Sequence, residues 1–253
     1  MRLAGKTAML SGAGGPMGRA VANRLVADGA SALALTDISA TRLAETCDLL
    51  MARAPWLKIS QFRADVTVAD EANAFCDQAL DEIGQVDVLV NVVGGLRSKQ
   101  LYTAFLDMSE DQWRATMDLN VMGGFHLIRR IAPVMQKWGY GRIINFASIV
   151  YGGEAGQADY AAAKAAVASM TRSLAEELAP AITVNCVAPG LTRTSVTRHM
   201  PEHHAARLSG QSFFGRMAEP EEIADAVSFL ASEQARFVTG EILSVSGGIR
   251  PQL

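Results

Sequence analysis

Tyr160 and Lys164 stand four residues apart in Gln157-Ala158-Asp159-Tyr160-Ala161-Ala162-Ala163-Lys164. Helical residues at i and i+4 share a face, so this phenol and this ammonium can enter one site. A free tyrosine has a pKa near 10 and is a poor base at neutral pH. A neighbouring cation favours the phenolate and lowers that value. Reaching neutrality requires about 3 pH units, roughly 4 kcal/mol of differential interaction. The pair is a candidate proton-transfer device. Taken alone it more commonly describes a lysine stem packed on a ring at a helix surface.

Positioning such a pair requires a scaffold. The chain has 253 residues, 49% of them apolar and 19% charged, a globular balance. Its formal net charge of −3, without a basic stripe, argues against nucleic acid as a partner. Cys47, Cys76 and Cys186 fit no metal or disulfide spacing and read as reduced, buried thiols. The N-terminal residues lack a signal-peptide core, and no apolar stretch approaches the ~18 residues of a membrane span. A cytoplasmic location is therefore expected.

Short β-branched runs alternate with helical patterns. Strands are predicted at Thr7–Ser11, Ala32–Thr36, Lys58–Arg63, Val86–Asn91, Arg142–Ala147, Ile182–Val187 and Ile242–Val245. Helical periodicity covers 17–28, 40–53, 69–83, 109–137, 157–179 and 220–231. The alternation predicts an α/β fold, one doubly wound Rossmann domain over 1–253 with a seven-stranded parallel sheet and helices on both faces. Ligands of such sheets bind beyond the carboxyl ends of the strands.

The first strand runs into Ser11-Gly12-Ala13-Gly14-Gly15-Pro16-Met17-Gly18, which opens the first helix. Glycines there let the backbone turn tightly and approach a pyrophosphate at the helix N-terminus. The spacing across Gly12, Gly14 and Gly18 is G-x-G-x-x-x-G, because Met17 holds the third glycine position of the commoner fingerprint. Pro16 removes one N–H, which a first helical position tolerates. The second strand ends near Asp37, about 20 residues on, where a carboxylate can bond the adenosine ribose. Asp37 would repel a 2′-phosphate, and Ile38 offers no compensating cation. Arg42 lies further into the next helix as a weak phosphate candidate. These residues favour NAD over NADP.

Together the motifs resemble the short-chain dehydrogenase/reductase family, over almost the whole chain. The family's T-G-x-x-x-G-x-G falls on Ser11, Gly12, Pro16 and Gly18, and its N-N-A-G on Asn91-Val92-Val93-Gly94. Its Y-x-x-x-K falls on Tyr160 and Lys164, in register with Ser148 and Asn120. The resemblance implies that Asp65 and Val66 contact the adenine. It implies that Pro189, Gly190, Thr192 and Thr194 form the loop at the nicotinamide, the two threonines anchoring its carboxamide. It further implies hydride transfer between NAD and a secondary alcohol or ketone. Tyr160 would be the acid/base, Lys164 its electrostatic tuner and a ribose ligand, Ser148 a donor to the substrate oxygen, and Asn120 the holder of a water leading to Lys164. Homodimers or homotetramers are implied as well.

The substrate is less legible. A lid is expected near 192–218, containing His199, His203, His204, Phe213 and Phe214, with Leu96, Tyr102 and Tyr151 lining the remaining pocket. His199 and His203 are i,i+4, yet no catalytic carboxylate motif accompanies them, and no metal is expected. Length and C-terminal pattern resemble 3-oxoacyl-(acyl carrier protein) reductases, for which Arg129, Arg130 and Arg172 could serve an acidic carrier, although ordinary solvated helix charge describes them better. Asn91 through Gly95 is similar to cis-dihydrodiol dehydrogenases. A non-catalytic NAD-binding regulator is the alternative of another class.

Overall fold

The structure is a computed structural model that describes residues 1–98, 100–194, 197, 206 and 209–249. His199, His203, His204 and part of the predicted lid lie outside these residues. Seven strands form one sheet: β1 (Thr7–Ser11), β2 (Ala32–Asp37), β3 (Lys58–Arg63), β4 (Val88–Asn91), β5 (Gly141–Phe146), β6 (Ile182–Pro189) and β7 (Ile242–Val245). Their order is β3-β2-β1-β4-β5-β6-β7 and every pairing is parallel. The order reverses between β1 and β4, where Ser11 faces Asn91. That switch point opens a crevice at the carboxyl ends of the strands.

Strand side chains alternate between two apolar layers. Ala8, Leu10, Leu33, Leu35, Val88 and Val90 pack with α1 (Pro16–Ala27), α2 (Ala40–Arg53) and α7 (Pro220–Ala231). Met9, Ala34, Leu89, Ile143 and Val184 pack with α3 (Ala69–Ile83), α5 (Gly123–Trp138) and α6 (Ala158–Glu177). Helices therefore cover both faces, as the alternation predicts. No helix among the described residues is long and apolar enough to cross a membrane.

Two boundaries differ in ways that matter. β4 begins at Val88 rather than Val86; at Asp87 the carboxylate accepts the Thr7 N–H at 2.9 Å, while the backbone N–H donates to the Thr7 carbonyl at 3.0 Å. The predicted helix 109–137 is two helices, α4 (Glu110–Met117) and α5, joined by a π-turn over Asp118–Met122. One widened turn leaves apolar periodicity almost unchanged, so the pattern did not mark it. Asn120 sits inside that turn.

Candidate active site

The nucleotide half is built on backbone proximity. Gly12 has φ +74°, and a Cβ on Gly18 would lie 2.1 Å from the Gly12 carbonyl oxygen. Only hydrogen fits there, which seats α1 directly on the loop. The N-terminus of α1 carries no side-chain cap and no acidic residue in its first turn, while Pro16 occupies its start. Met17 and Gly18 thus offer uncapped first-turn amides of the kind that hold a diphosphate. Met17's side chain packs against the first core layer. A dinucleotide fits this cradle, minus the amide that Pro16 lacks.

Asp37 is buried at the end of β2, and its carboxylate accepts from the Gly14 N–H at 3.0 Å and the Ser39 N–H at 2.9 Å. A Cβ on Gly14 would fall 2.9 Å from the Asp37 carboxyl carbon, so glycine is required for the approach. Arg42 also reaches Asp37, Nη2 to Oδ1 at 3.0 Å, with its side chain 54% exposed. Sequence spacing had set Arg42 apart in the next helix. One turn of α2 brings it back over the strand end. Ile38 is exposed beside it.

Several expected cofactor residues have their side chains engaged elsewhere. Asp65 accepts from the Thr67 N–H and hydroxyl at 3.0 and 2.7 Å. The Val66 side chain is buried, and Gly123 lies so close that a Cβ there would be 2.8 Å from it. Asn91 Nδ2 donates to Asn145 Oδ1 at 2.9 Å, bridging β4 to β5. Pro189 ends β6, and Gly190 packs against Ser246, where a Cβ would meet Cα at 2.8 Å. Thr192 is buried and donates to the Gly190 carbonyl at 3.0 Å, leaving its oxygen free to accept. The Thr194 N–H donates to Thr197 Oγ1 at 2.7 Å.

The residues expected to transfer a proton converge. Ser148 follows β5, and its hydroxyl hydrogen-bonds the Tyr160 phenol. Lys164 is buried, donates from Nζ to the Phe146 carbonyl at 2.7 Å, and lies 5.6 Å from the Tyr160 ring centroid. Gly94 joins the set: a Cβ on it would sit 2.7 Å from both Lys164 Nζ and Asn120 Oδ1. The glycine is thus a gap through which these two groups approach the end of β4. No sequence signal beyond the motif position announced that role.

Two electrostatic expectations change. Burial pushes the Tyr160 phenol up to about 12, and the Ser148 hydrogen bond, not the lysine, is what opposes it. Burial also pulls the Lys164 ammonium down to about 8, because a charged group loses its water there. In this structure Tyr160 is therefore poised as an acid. Asn120 differs too. Its Nδ2 donates to the Gly95 and Thr116 carbonyls at 2.8 and 2.7 Å, and its Oδ1 accepts the Gly95 N–H at 3.0 Å. Both amide hydrogens are used, so this side chain could hold a water only as an acceptor.

Around the pocket, Tyr102 packs on Gly156, and Tyr151 packs against a small cluster containing Cys186 and Val167. Phe213 and Phe214 are exposed. The three arginines do not form a free basic patch: Arg130 pairs with Asp77 at 2.5 Å, Arg172 donates to the Gly240 carbonyl at 3.2 Å, and Arg129 lies over the Phe125 ring.

Comparison with known proteins agrees with this fold. A family model described as enoyl-(acyl carrier protein) reductase matches residues 12–250. The 3-oxoacyl-[acyl-carrier-protein] reductase FabG of Thermotoga maritima is 35% identical, over 98% of this chain and 99% of the relative. The (2S)-[(R)-hydroxy(phenyl)methyl]succinyl-CoA dehydrogenase subunit BbsD of Thauera aromatica is 36% identical, over 98% of each chain. A crystal structure of levodione reductase superposes with a TM-score of 0.91 at 26% identity, covering 98% of both chains. With the glycine cradle, the parallel sheet and the Ser148–Tyr160–Lys164 cluster in place, the chain belongs to the short-chain dehydrogenase/reductase family of oxidoreductases.

Proposed function

We infer that the protein is an NAD-dependent oxidoreductase of secondary alcohols and ketones. The observation that carries this reading is the convergence of Tyr160 with the buried Lys164, whose Nζ is held by the Phe146 carbonyl, at the end of β5 where Ser148 stands. A bound nicotinamide cofactor supplies or accepts the hydride. The chain's own residues handle the oxygen. Ser148 donates to the substrate oxygen and fixes its position. Tyr160, held protonated by burial, gives its proton to that oxygen as a ketone is reduced, and recovers it in the reverse direction. Lys164, fixed by the Phe146 carbonyl, places a cation beside the phenol and within reach of a ribose. Asn120 holds the end of β4 in place by pairing with both backbone groups of Gly95.

For the cofactor, Gly12, Gly14, Met17 and Gly18 would hold the diphosphate and Asp37 with Ile38 the adenosine. Asp65, Val66, Asn91 and Gly94 would shape the adenosine side, and Pro189, Gly190, Thr192 and Thr194 the nicotinamide side. Asp37 supports NAD, since its carboxylate would face a 2′-phosphate. The Arg42 guanidinium is partly neutralised by that carboxylate. Residues 192–218 would close over the substrate. The apolar groove between α5 and α6, lined by Phe125, Ile128, Ala132, Met170 and Leu174, suits the homodimer or homotetramer that the family resemblance implies.

The relatives favour one further reading, reduction of a 3-oxoacyl thioester on a carrier protein. The pairing of Arg130 and Arg172 weakens carrier docking at that face. Turnover should be followed by NADH absorbance, in both directions, across alcohols, ketones and an acetoacetyl thioester. Secondary alcohol or ketone turnover that Tyr160→Phe abolishes, with NADH binding retained, is the expected result. Activity confined to the thioester would select the second reading, and a blank panel with intact NADH binding would favour a non-catalytic binder.

A further inference from the structure

Asp159 immediately precedes Tyr160 and is completely buried. Its Oδ1 accepts the Tyr160 N–H at 2.8 Å, one of the first-turn amides of α6 that have no partner within the helix. Its Oδ2 accepts the Thr116 hydroxyl at 2.9 Å and Gln112 Nε2 at 3.1 Å, both from α4. The N-cap residue of α6, Gln157, provides no side-chain cap; its amide donates to the Leu101 carbonyl instead. Among the described residues no ion pair reaches Asp159, so the helix N-terminus and these three donors are what stabilise the carboxylate there.

The network continues beyond Asp159. Thr116, itself fully buried, presents its carbonyl to Asn120 Nδ2 at 2.7 Å. Asn120 then binds both backbone groups of Gly95. One chain of hydrogen bonds therefore runs from the first turn of α6, which carries the phenol, through Asp159, Thr116 and Asn120 to the end of β4. It crosses the junction of α4 and the π-turn, where the regular i→i+4 bonding of a helix is interrupted.

We propose that Asp159 is a positioning residue for catalysis, which sets the Tyr160 phenol against the Asn120–Gly95 end of the crevice through Thr116. The proposal rests on the acid/base reading of Tyr160. Loss of the carboxylate leaves the Tyr160 N–H, the Thr116 hydroxyl and Gln112 without their acceptor and frees the turn to shift. A misplacement of about 1 Å at a reacting group costs about 10²-fold in rate. Asparagine can restore the set, because its oxygen accepts from Tyr160 while Thr116 and Gln112 can each reorient to accept from its amide.

The test uses Asp159→Ala, Asp159→Asn, Thr116→Val and the double variant Asp159→Ala/Thr116→Val in the full chain. Backbone hydrogen exchange is measured at the Tyr160 and Gly95 amides, and kcat and KM on any substrate the wild type turns over. Expected for Asp159→Ala are faster exchange at both amides and a kcat loss of about 10²-fold, with KM for NADH little changed. Asp159→Asn should recover most of both losses, and the double variant should be no slower than the worse single variant. Three results would overturn the proposal: exchange at Gly95 unaffected in Asp159→Ala, additive rate losses, or a lowered melting temperature with kcat intact. A wild type that turns over nothing would sink the acid/base reading, while the exchange data alone still decide whether Asp159 couples the two elements.

Discussion

Lys164→Met tests the electrostatics of the buried pair directly. Burial holds the Lys164 ammonium at about 8 instead of 10.5. Each pH unit is worth about 1.36 kcal/mol, so at neutral pH the buried charge costs the fold about 3 kcal/mol. A depressed lysine binds fewer protons folded than unfolded between about pH 8 and 10.5, so wild-type stability rises with pH through that window. Below the window the cost is fully present, and above it the lysine is neutral in both states. Methionine fills similar space without the charge. It also gives up the bond to the Phe146 carbonyl, a loss that offsets part of the gain at every pH. The pH-dependent part is therefore diagnostic: the stability of Lys164→Met relative to wild type should fall by about 2–3 kcal/mol between pH 7 and pH 10. Urea unfolding at a series of pH values reads this, and the melting temperatures should shift relative to each other by about 5–10 °C. A difference that stays constant across the range would refute the burial argument, since a lysine that keeps its ordinary pKa contributes no such slope.

Other outcomes follow from single distances. Asp37→Ala frees Arg42 at the ribose end, so the kcat/KM ratio of NADP to NAD should rise about 10- to 10³-fold, and Arg42→Ala added to it should reverse part of the gain. A wild type already faster with NADP(H) would overturn the cofactor assignment. Gly94→Ala places a methyl group 2.7 Å from Lys164 Nζ and Asn120 Oδ1, and kcat should fall about 10²-fold in a folded protein, as steady-state rates and circular dichroism would show. Gly18→Ala sets a methyl group 2.1 Å from the Gly12 carbonyl, so NADH affinity measured by fluorescence should drop tenfold or more (about 1.4 kcal/mol), with unchanged affinity counting against the cradle.

What the sequence determined is chiefly periodic or local. Runs such as Val88-Leu89-Val90 are buried on both faces of a parallel sheet, so their strands and the doubly wound class could be read without coordinates, while the strand order came from the structure. Glycine spacing marked the loop between β1 and α1, and the register of Asn120, Ser148, Tyr160 and Lys164 picked out groups that the structure brings to one site. Tertiary structure alone decided how those groups are held. The π-turn at Asn120 is one residue of extra winding, invisible to a 3.6-residue pattern. Arg42 meets Asp37, and Asp159 meets Thr116, across 5 and 43 residues, because helices return over the sheet, and nothing in local composition encodes which turn lands on which strand end. The pKa values diverged from expectation for the same reason. Spacing on a helix says that Tyr160 and Lys164 share a face, but how far burial strips water from each depends on everything packed around them.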